Sequence, residues 1–251
     1  MPKITILIGF SFVELSTVES TNNYAMGLVH EGMARHGMAV FAHDQTAGKG
    51  QRGKTWSTEA GSNIILSVLL DPSPIRLLPP FSLSVAVALA AYDLFQRYAV
   101  CDTAIKWPND IYWRDRKAGG ILIENAYRGK QWQWSVLGIG LNINQTIFPD
   151  IPRPPVSLRQ VTGKRYEAPT LARELCALLE GRWQDLLAGR REDLFRLYQE
   201  RLFGRGKQVR LRQGARVFGT EVLGVRPDGR LDTAEGPFSV GEVEWVFEPG
   251  A

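Results

Sequence analysis

The stretch GKGQRGKTWSTEAGSNIILSVLLD, residues 48–71, decides between two folds, because its first letters satisfy the phosphate-loop pattern G-x-x-x-x-G-K-[ST]. Such a loop works between a buried strand and a helix that starts at its Lys-Thr pair, so that backbone N–H groups and the helix N-terminus surround the phosphates. The flanks here are different. AVFAHDQ (39–45) reads as a strand, but the loop is followed by a Gly-Ser-Asn turn at 61–63 and a β-branched apolar run at 64–70. Only about ten residues separate Thr55 from that run, where a parallel strand pair needs a crossover of roughly a dozen or more. Asp71 at its end imitates the acid of a nucleotide-hydrolase strand without supplying the missing helix. The stretch is predicted to be a glycine-rich loop lying across a sheet. Gly48, Gly50 and Gly53 allow close backbone approach, and Lys49, Arg52 and Lys54 bring positive charge with no acid between Asp44 and Glu59.

Outward from the loop, ITILIGFSFV (4–13) reads as a strand, and Ser20 and Thr21 are N-cap candidates for a helix through Tyr24, Leu28 and Val29. Pro79 and Pro80 open a helix, FSLSVAVALAAYDLFQRYAV, that is apolar almost all round and therefore central. Three strand-like runs follow: TAIKWPND, AGGILIENAY and WQWSVLGIGLNIN. Residues 145–169, with five prolines, read as a long irregular connection before the helices TLARELCALLEGRWQDLLAG and REDLFRLYQERLF. From about residue 204 the pattern changes to short strands and glycine turns, KQVRLRQ, RVFGTEVLGV, GRLDTA and FSVGEVEWVF. The expected class is α+β: a mixed or antiparallel sheet flanked by helices in residues 1–203, then a small SH3-like β-barrel in 204–251.

The 251 residues, 44% hydrophobic, suffice for one good core. Thirty Lys+Arg against 26 Asp+Glu give +4, which suits an anionic partner without choosing one. Cys101 and Cys176 lie in or beside apolar helical pattern and read as free thiols of a reducing compartment, and the N-terminal apolar run is too short to span a bilayer. A cytoplasmic protein with no membrane partner is expected. Arg201–Arg216 carries six basic residues and no acid, but the alternation in VRLR reads as a solvated strand face rather than a DNA site.

ESTN, QTAGKGQRGKTW, KWPND, KAGGILIE and GIGLNIN, in that order and at these separations, make the chain resemble the biotin protein ligases from about Ser20 to Asn144. The resemblance implies ATP-dependent biotinylation of a lysine on a biotin carboxyl carrier protein, through biotinyl-5'-AMP, with biotin and ATP as substrates and Mg2+ beside the nucleotide. It implies catalytic roles for Lys117, Arg52 and Lys106. Biotin would meet Ser20, Thr21, Asn22, Gln45, Gly48, Lys49, Lys117, Gly120 and Gly138, and the nucleotide Lys49, Gly50, Gln51, Arg52, Gly53, Trp56, Lys106, Asn109 and Asn142, with Asp110 near the metal. Residue chemistry agrees with this. An anion must approach an anion, so cations and N–H donors have to neutralise both, and a buried ureido ring needs polar partners. Glycines at 119, 120, 138 and 140 would leave room for a flat ligand against backbone.

The chain departs from the common loop GRGRRGR at Gln51, which is neutral where a cation is frequent; this bears on retention of the adenylate rather than on reaction class. Residues 1–19 are too few for the helix-turn-helix domain of bifunctional relatives, so a ligase without repressor activity is expected. A homodimer is compatible with the resemblance. The alternatives are a lipoate or octanoate transferase of the same fold, disfavoured by the basic loop, and a phosphate-loop hydrolase, disfavoured by its flanks.

Overall fold

Ile64–Leu70 is buried at all seven positions and apolar at every one but Ser67, which makes it a strand covered on both faces, and the chain is built outward from it. A computed structural model describes residues 7–148 and 153–247. In chain order the elements are β1 (Phe12–Leu15), α1 (Thr21–His30), β2 (Ala39–Ala42), β3 (Ile64–Leu70), α2 (Phe81–Ala99), β4 (Thr103–Lys106), β5 (Asp110–Trp113), β6 (Arg116–Arg128) and β7 (Gln131–Leu141). They continue with α3 (Leu158–Thr162), α4 (Ala168–Leu187), α5 (Arg191–Glu200), β8 (Gln208–Gln213), β9 (Arg216–Val225), β10 (Leu231–Thr233), β11 (Gly236–Phe238) and β12 (Glu244–Val246).

The first sheet runs β1-β2-β3-β7-β6-β5-β4, with β1 and β2 parallel and every other neighbour antiparallel. One face, carrying Ile64, Leu66, Val68, Leu137, Ile139 and Leu141, packs in the main core with α2 and α4. The other carries Leu69 and Val136 against Ala25 of α1. Because β2 and β3 are antiparallel neighbours, the strand–loop–helix geometry of a phosphate loop is excluded. Only a short 3-10 turn, Gln51–Gly53, occurs there. The second sheet, β11-β10-β9-β8-β12, is antiparallel and fits the expected SH3-like barrel.

Three readings of the sequence change. The first strand begins at Phe12, since residues 8–11 form a turn and residues 1–6 lie outside the described ones. KWPND is not one strand: the chain turns through the cis Trp107–Pro108 bond and Asp110 opens β5, which pairs back on β4. The irregular connection contains α3, whose Ser157 caps Gln160 N while the Gln160 side chain accepts from Ser157 N; residues 149–152 lie outside the described ones.

The second sheet is bolted to the first. Trp107 Nε1 donates to Gly229 O at 2.8 Å in a buried contact, and Phe203 N donates to Ile105 O on the edge strand β4. Within the first core, Leu89 of α2 is 0% exposed. Leu89→Ala is expected to destabilise the fold by about 2–5 kcal/mol, from lost transfer energy plus the cavity left behind. Urea unfolding checks this, and a midpoint unmoved from wild type would show that α2 does not sit at the core's centre.

Candidate functional site

The site forms where the sheet face under α1 lacks side chains. Alternation along β7 aims Gly138 and Gly140 at that face, opposite Leu122 and Gly120 of β6. A Cβ at Gly138 would stand 2.4 Å from Asn22 Oδ1, and one at Gly140 would stand 2.6 Å from the Trp56 ring. Asn22 and Trp56 therefore lie directly on bare backbone, which no larger residue would allow.

Ser20 caps α1: its extended backbone turns the chain into the helix, and its hydroxyl accepts from Asn23 N at 3.4 Å. The first helical residues then face the sheet. Thr21 N and Oγ1 donate to Gln45 Oε1 at 2.7 and 3.1 Å. Ser67 Oγ on β3 lies 2.8 Å from Thr21 Oγ1 and 2.6 Å from Asn22 Oδ1, and Asn22 Nδ2 donates to Glu124 Oε2 at 2.7 Å. This is a buried polar array whose members orient one another, the condition under which buried polar groups become rigid.

The glycine-rich loop closes over the array as a small hairpin. Lys49 bridges Thr55, Gly50 N donates to Lys54 O at 2.6 Å, and Trp56 N donates to Gly48 O at 2.8 Å. Gly48 has no room for a side chain, since a Cβ would meet Trp56 O at 2.3 Å. Lys49, Gly50, Gln51 and Trp56 join Gln45 and Lys117 around a cavity of ≈ 60 Å³. That is well below the roughly 300–1,000 Å³ of a typical small-molecule pocket. Trp56 Nε1 is buried without a protein partner. Arg52 and Gly53 take left-handed conformations, φ 56° and 75°, and Arg52 points away from the cavity: its Nη1 donates to Gly241 O, in the turn between β11 and β12, at 3.0 Å.

Cations collect at the other end. Lys117 lies in β6, paired with Tyr112, and not in a turn ahead of a strand. Its Nζ sits 2.6 Å from Asp110 Oδ1 and 5.6 Å from the Trp56 ring centroid. Gly120 opens the floor beside this pair, a Cβ there standing 3.4 Å from Lys117 Nζ; Gly119 faces the opposite way, against Leu141 and Gly140 O. Asn109 lines the cavity and donates through Nδ2 to Ile121 O at 2.7 Å. Lys106 is 9% exposed, and its pKa is brought down to about 8, chiefly by burial, with Asp110 opposing the shift and Lys117 and Lys54 adding to it.

The structure thus brings Ser20, Thr21, Asn22, Gln45, Lys49, Gly50, Gln51, Trp56, Asn109, Lys117, Gly120 and Gly138 to one cavity. Arg52, Gly53 and Lys106 stand outside its walls. So does Asn142, whose Nδ2 donates to Val156 O at 3.2 Å and to Lys117 O at 3.4 Å, tying the base of Lys117 to the segment before α3. Sequence reasoning missed Ser67 and Glu124. A lone hydroxyl in the apolar run IILSVLL was the available signal for Ser67, and the acid that closes the motif KAGGILIE was the signal for Glu124.

Residues 15–142 match the model of the biotin/lipoate A/B protein ligase family. The chain is 29% identical to the bifunctional ligase/repressor BirA of Bacillus spizizenii, over 92% of this chain and 72% of that protein. It is 34% identical to the biotin--[acetyl-CoA-carboxylase] ligase of Paracoccus denitrificans, over 68% of this chain and 71% of that protein. The fold is shared with a biotin protein ligase from Aquifex aeolicus solved in complex with biotin and ATP: TM-score 0.79, 22% identity, covering 95% of this chain and all of that one.

Gly140→Ala is expected to push the Trp56 indole off β7 and loosen the hairpin it anchors. Tryptic cleavage at Lys49, Arg52 and Lys54 should then accelerate at unchanged global stability. A cleavage rate equal to wild type would mean that the glycine is not what seats Trp56.

Proposed function

The chain belongs to the biotin/lipoate A/B protein ligase family, and from that premise we propose that it joins biotin to a lysine of a biotin carboxyl carrier protein through a biotinyl-5'-AMP intermediate. The observation that carries this reading is the lining of one cavity: a hydrogen-bonding array at the start of α1, the cations Lys49 and Lys117, and Trp56 with its ring 5.6 Å from the Lys117 ammonium. A ligand with a polar ring at one end and a carboxylate at the other fits that lining. The ureido group of biotin meets Thr21, Gln45 and Asn22, where unsatisfied partners would cost ~1–3 kcal/mol each, and the valerate carboxylate reaches Lys117.

In the first half-reaction the carboxylate oxygen attacks the α-phosphorus of ATP and pyrophosphate leaves. Lys117 exchanges Asp110 for the biotin carboxylate, which places the nucleophile and holds the charge that builds on the acyl phosphate. Lys49 and the loop's backbone N–H groups face the phosphates, and Gln51, on the cavity wall, lies beside them. In the second half-reaction the neutral amine of the carrier lysine attacks the acyl carbon, AMP departs, and an amide forms. The hairpin, closed over the site, keeps water from the mixed anhydride between the two steps.

A divalent ion accompanies ATP in such chemistry. Among the described residues no group of three or more His, Cys, Asp or Glu side chains is placed to hold one. The ion would therefore arrive on the nucleotide phosphates, as Mg2+ commonly does, with Asp110 the carboxylate that would meet it. Its contribution would be neutralisation of phosphate charge. Among the described residues no helix is long and apolar enough to cross a membrane.

Biotin-dependent exchange of labelled pyrophosphate into ATP tests the proposal. Wild type is expected to catalyse it and Lys117→Ala to lose ~10²–10³ in rate, the scale of removing one preorganised electrostatic group. Exchange by Lys117→Ala at the wild-type rate would remove Lys117 from the site. Gln51→Arg adds one cation on the cavity wall and is expected to slow release of biotinyl-adenylate roughly ten- to a hundredfold when no carrier is present. Indistinguishable release rates would show that side-chain charge at position 51 does not govern retention.

A further inference from the structure

Lys106 sits in a cage of aromatic rings, and two of those rings come from the second sheet. Its Nζ lies 5.1 Å from the ring centroid of Tyr112 on β5, 5.4 Å from that of Trp245 on β12, and 5.7 Å from that of Phe247 just beyond it. The rings also hold one another. Phe203 meets Trp245 edge-on at 5.6 Å and Tyr112 at 5.5 Å, and Tyr112 stacks on Phe247 at 6.3 Å. Asp110, opposite Lys106 in the β4–β5 register, gives its Oδ1 to Lys117.

We propose that Trp245 and Phe247 are positioning residues for Lys106, which makes the second sheet a working part of the nucleotide half of the site. This rests on the ligase reading above together with the nucleotide role for Lys106 that the family resemblance implies. A buried ammonium needs compensation, and the negative face of an aromatic ring supplies it. Rings differ from a carboxylate in one respect that matters here. A carboxylate would hold the lysine by cancelling its charge, whereas a cage fixes the direction of the ammonium and leaves the full charge for an incoming phosphate. Lysine has a flexible four-carbon stem and would otherwise lose much freedom on meeting its ligand. The cage is complete only with the second sheet docked, and the neighbouring Trp107 Nε1 bond to Gly229 O fastens that sheet next to the lysine it cages.

A double-mutant cycle tests this, because a residue that acts through Lys106 has nothing to act on once the ammonium is gone. In biotin-dependent pyrophosphate exchange, Trp245→Leu is expected to lower kcat/KM for ATP about tenfold. Biotin affinity by calorimetry should stay at the wild-type value, and Trp245→Phe should recover most of the loss. In a Lys106→Met background, Trp245→Leu should cost nothing further. A wild-type rate in Trp245→Leu, or the same fractional loss with and without Lys106, overturns the proposal. If Trp245→Leu does not fold, Phe247→Leu carries the same comparison. Should wild type show no biotin-dependent exchange, the ligase reading fails, and the cage is then judged by acetylation of Lys106 with acetic anhydride, read by mass spectrometry. Faster acetylation in the Leu variant supports the cage, and an unchanged rate refutes it.

Discussion

Two missing side chains hold the site together. At Gly138 and Gly140 the face of β7 is bare, and into that bareness pack the carboxamide of Asn22 and the indole of Trp56. Asn22 brings with it the start of α1 and the array through Ser67, Thr21 and Gln45. Trp56 brings the glycine-rich hairpin and the cation wall beside Lys117. An alanine at either position would push the side chain seated there off the strand, because the close contact leaves no space for a methyl group. The polar end, the roof and the cationic end of the cavity all take their placement from the same stretch of backbone.

The electrostatics are arranged so that charge is stored without being spent on collapse. Lys117 is held by one carboxylate it can exchange, Lys106 by rings, and Arg52 by a carbonyl of the β11–β12 turn. Three cations close to one cavity would repel one another, and each is restrained by a different kind of partner. The consequence for Arg52 is specific. Its guanidinium faces Gly241, so any part it plays at the nucleotide goes through the closure of the hairpin onto the second sheet or requires the side chain to swing inward.

Much of this was legible in the sequence. The glycines and the ten-residue gap after Thr55 ruled out a crossover helix, and the antiparallel β2–β3 pair has that form. The Ser20 cap, the central α2 and the barrel-like strands also follow local rules of capping, periodicity and turn chemistry. What local rules could not reach was anything set by distant chain meeting distant chain. Nothing near KWPND announces that Trp245 and Phe247 cover Lys106, and nothing near Arg52 announces Gly241. Asp110 was read beside a metal, and nothing near it in the sequence announces that its Oδ1 holds Lys117 of the neighbouring strand β6. DIYW escaped notice as a strand because its pairing partner, β4, lies on the other side of the Trp107–Pro108 turn.

The central claim is that one end of this cavity recognises a polar ring and the other a carboxylate. Titration of the protein with biotin and, separately, with lipoate, followed by calorimetry, tests it most directly, since both ligands carry the carboxylate and only biotin carries the ureido ring. The account predicts saturable binding of biotin at 1:1, with lipoate at least a hundredfold weaker, on the order expected when buried polar groups are left unpaired. Lipoate binding as tight as biotin, or no binding of biotin at all, would contradict it.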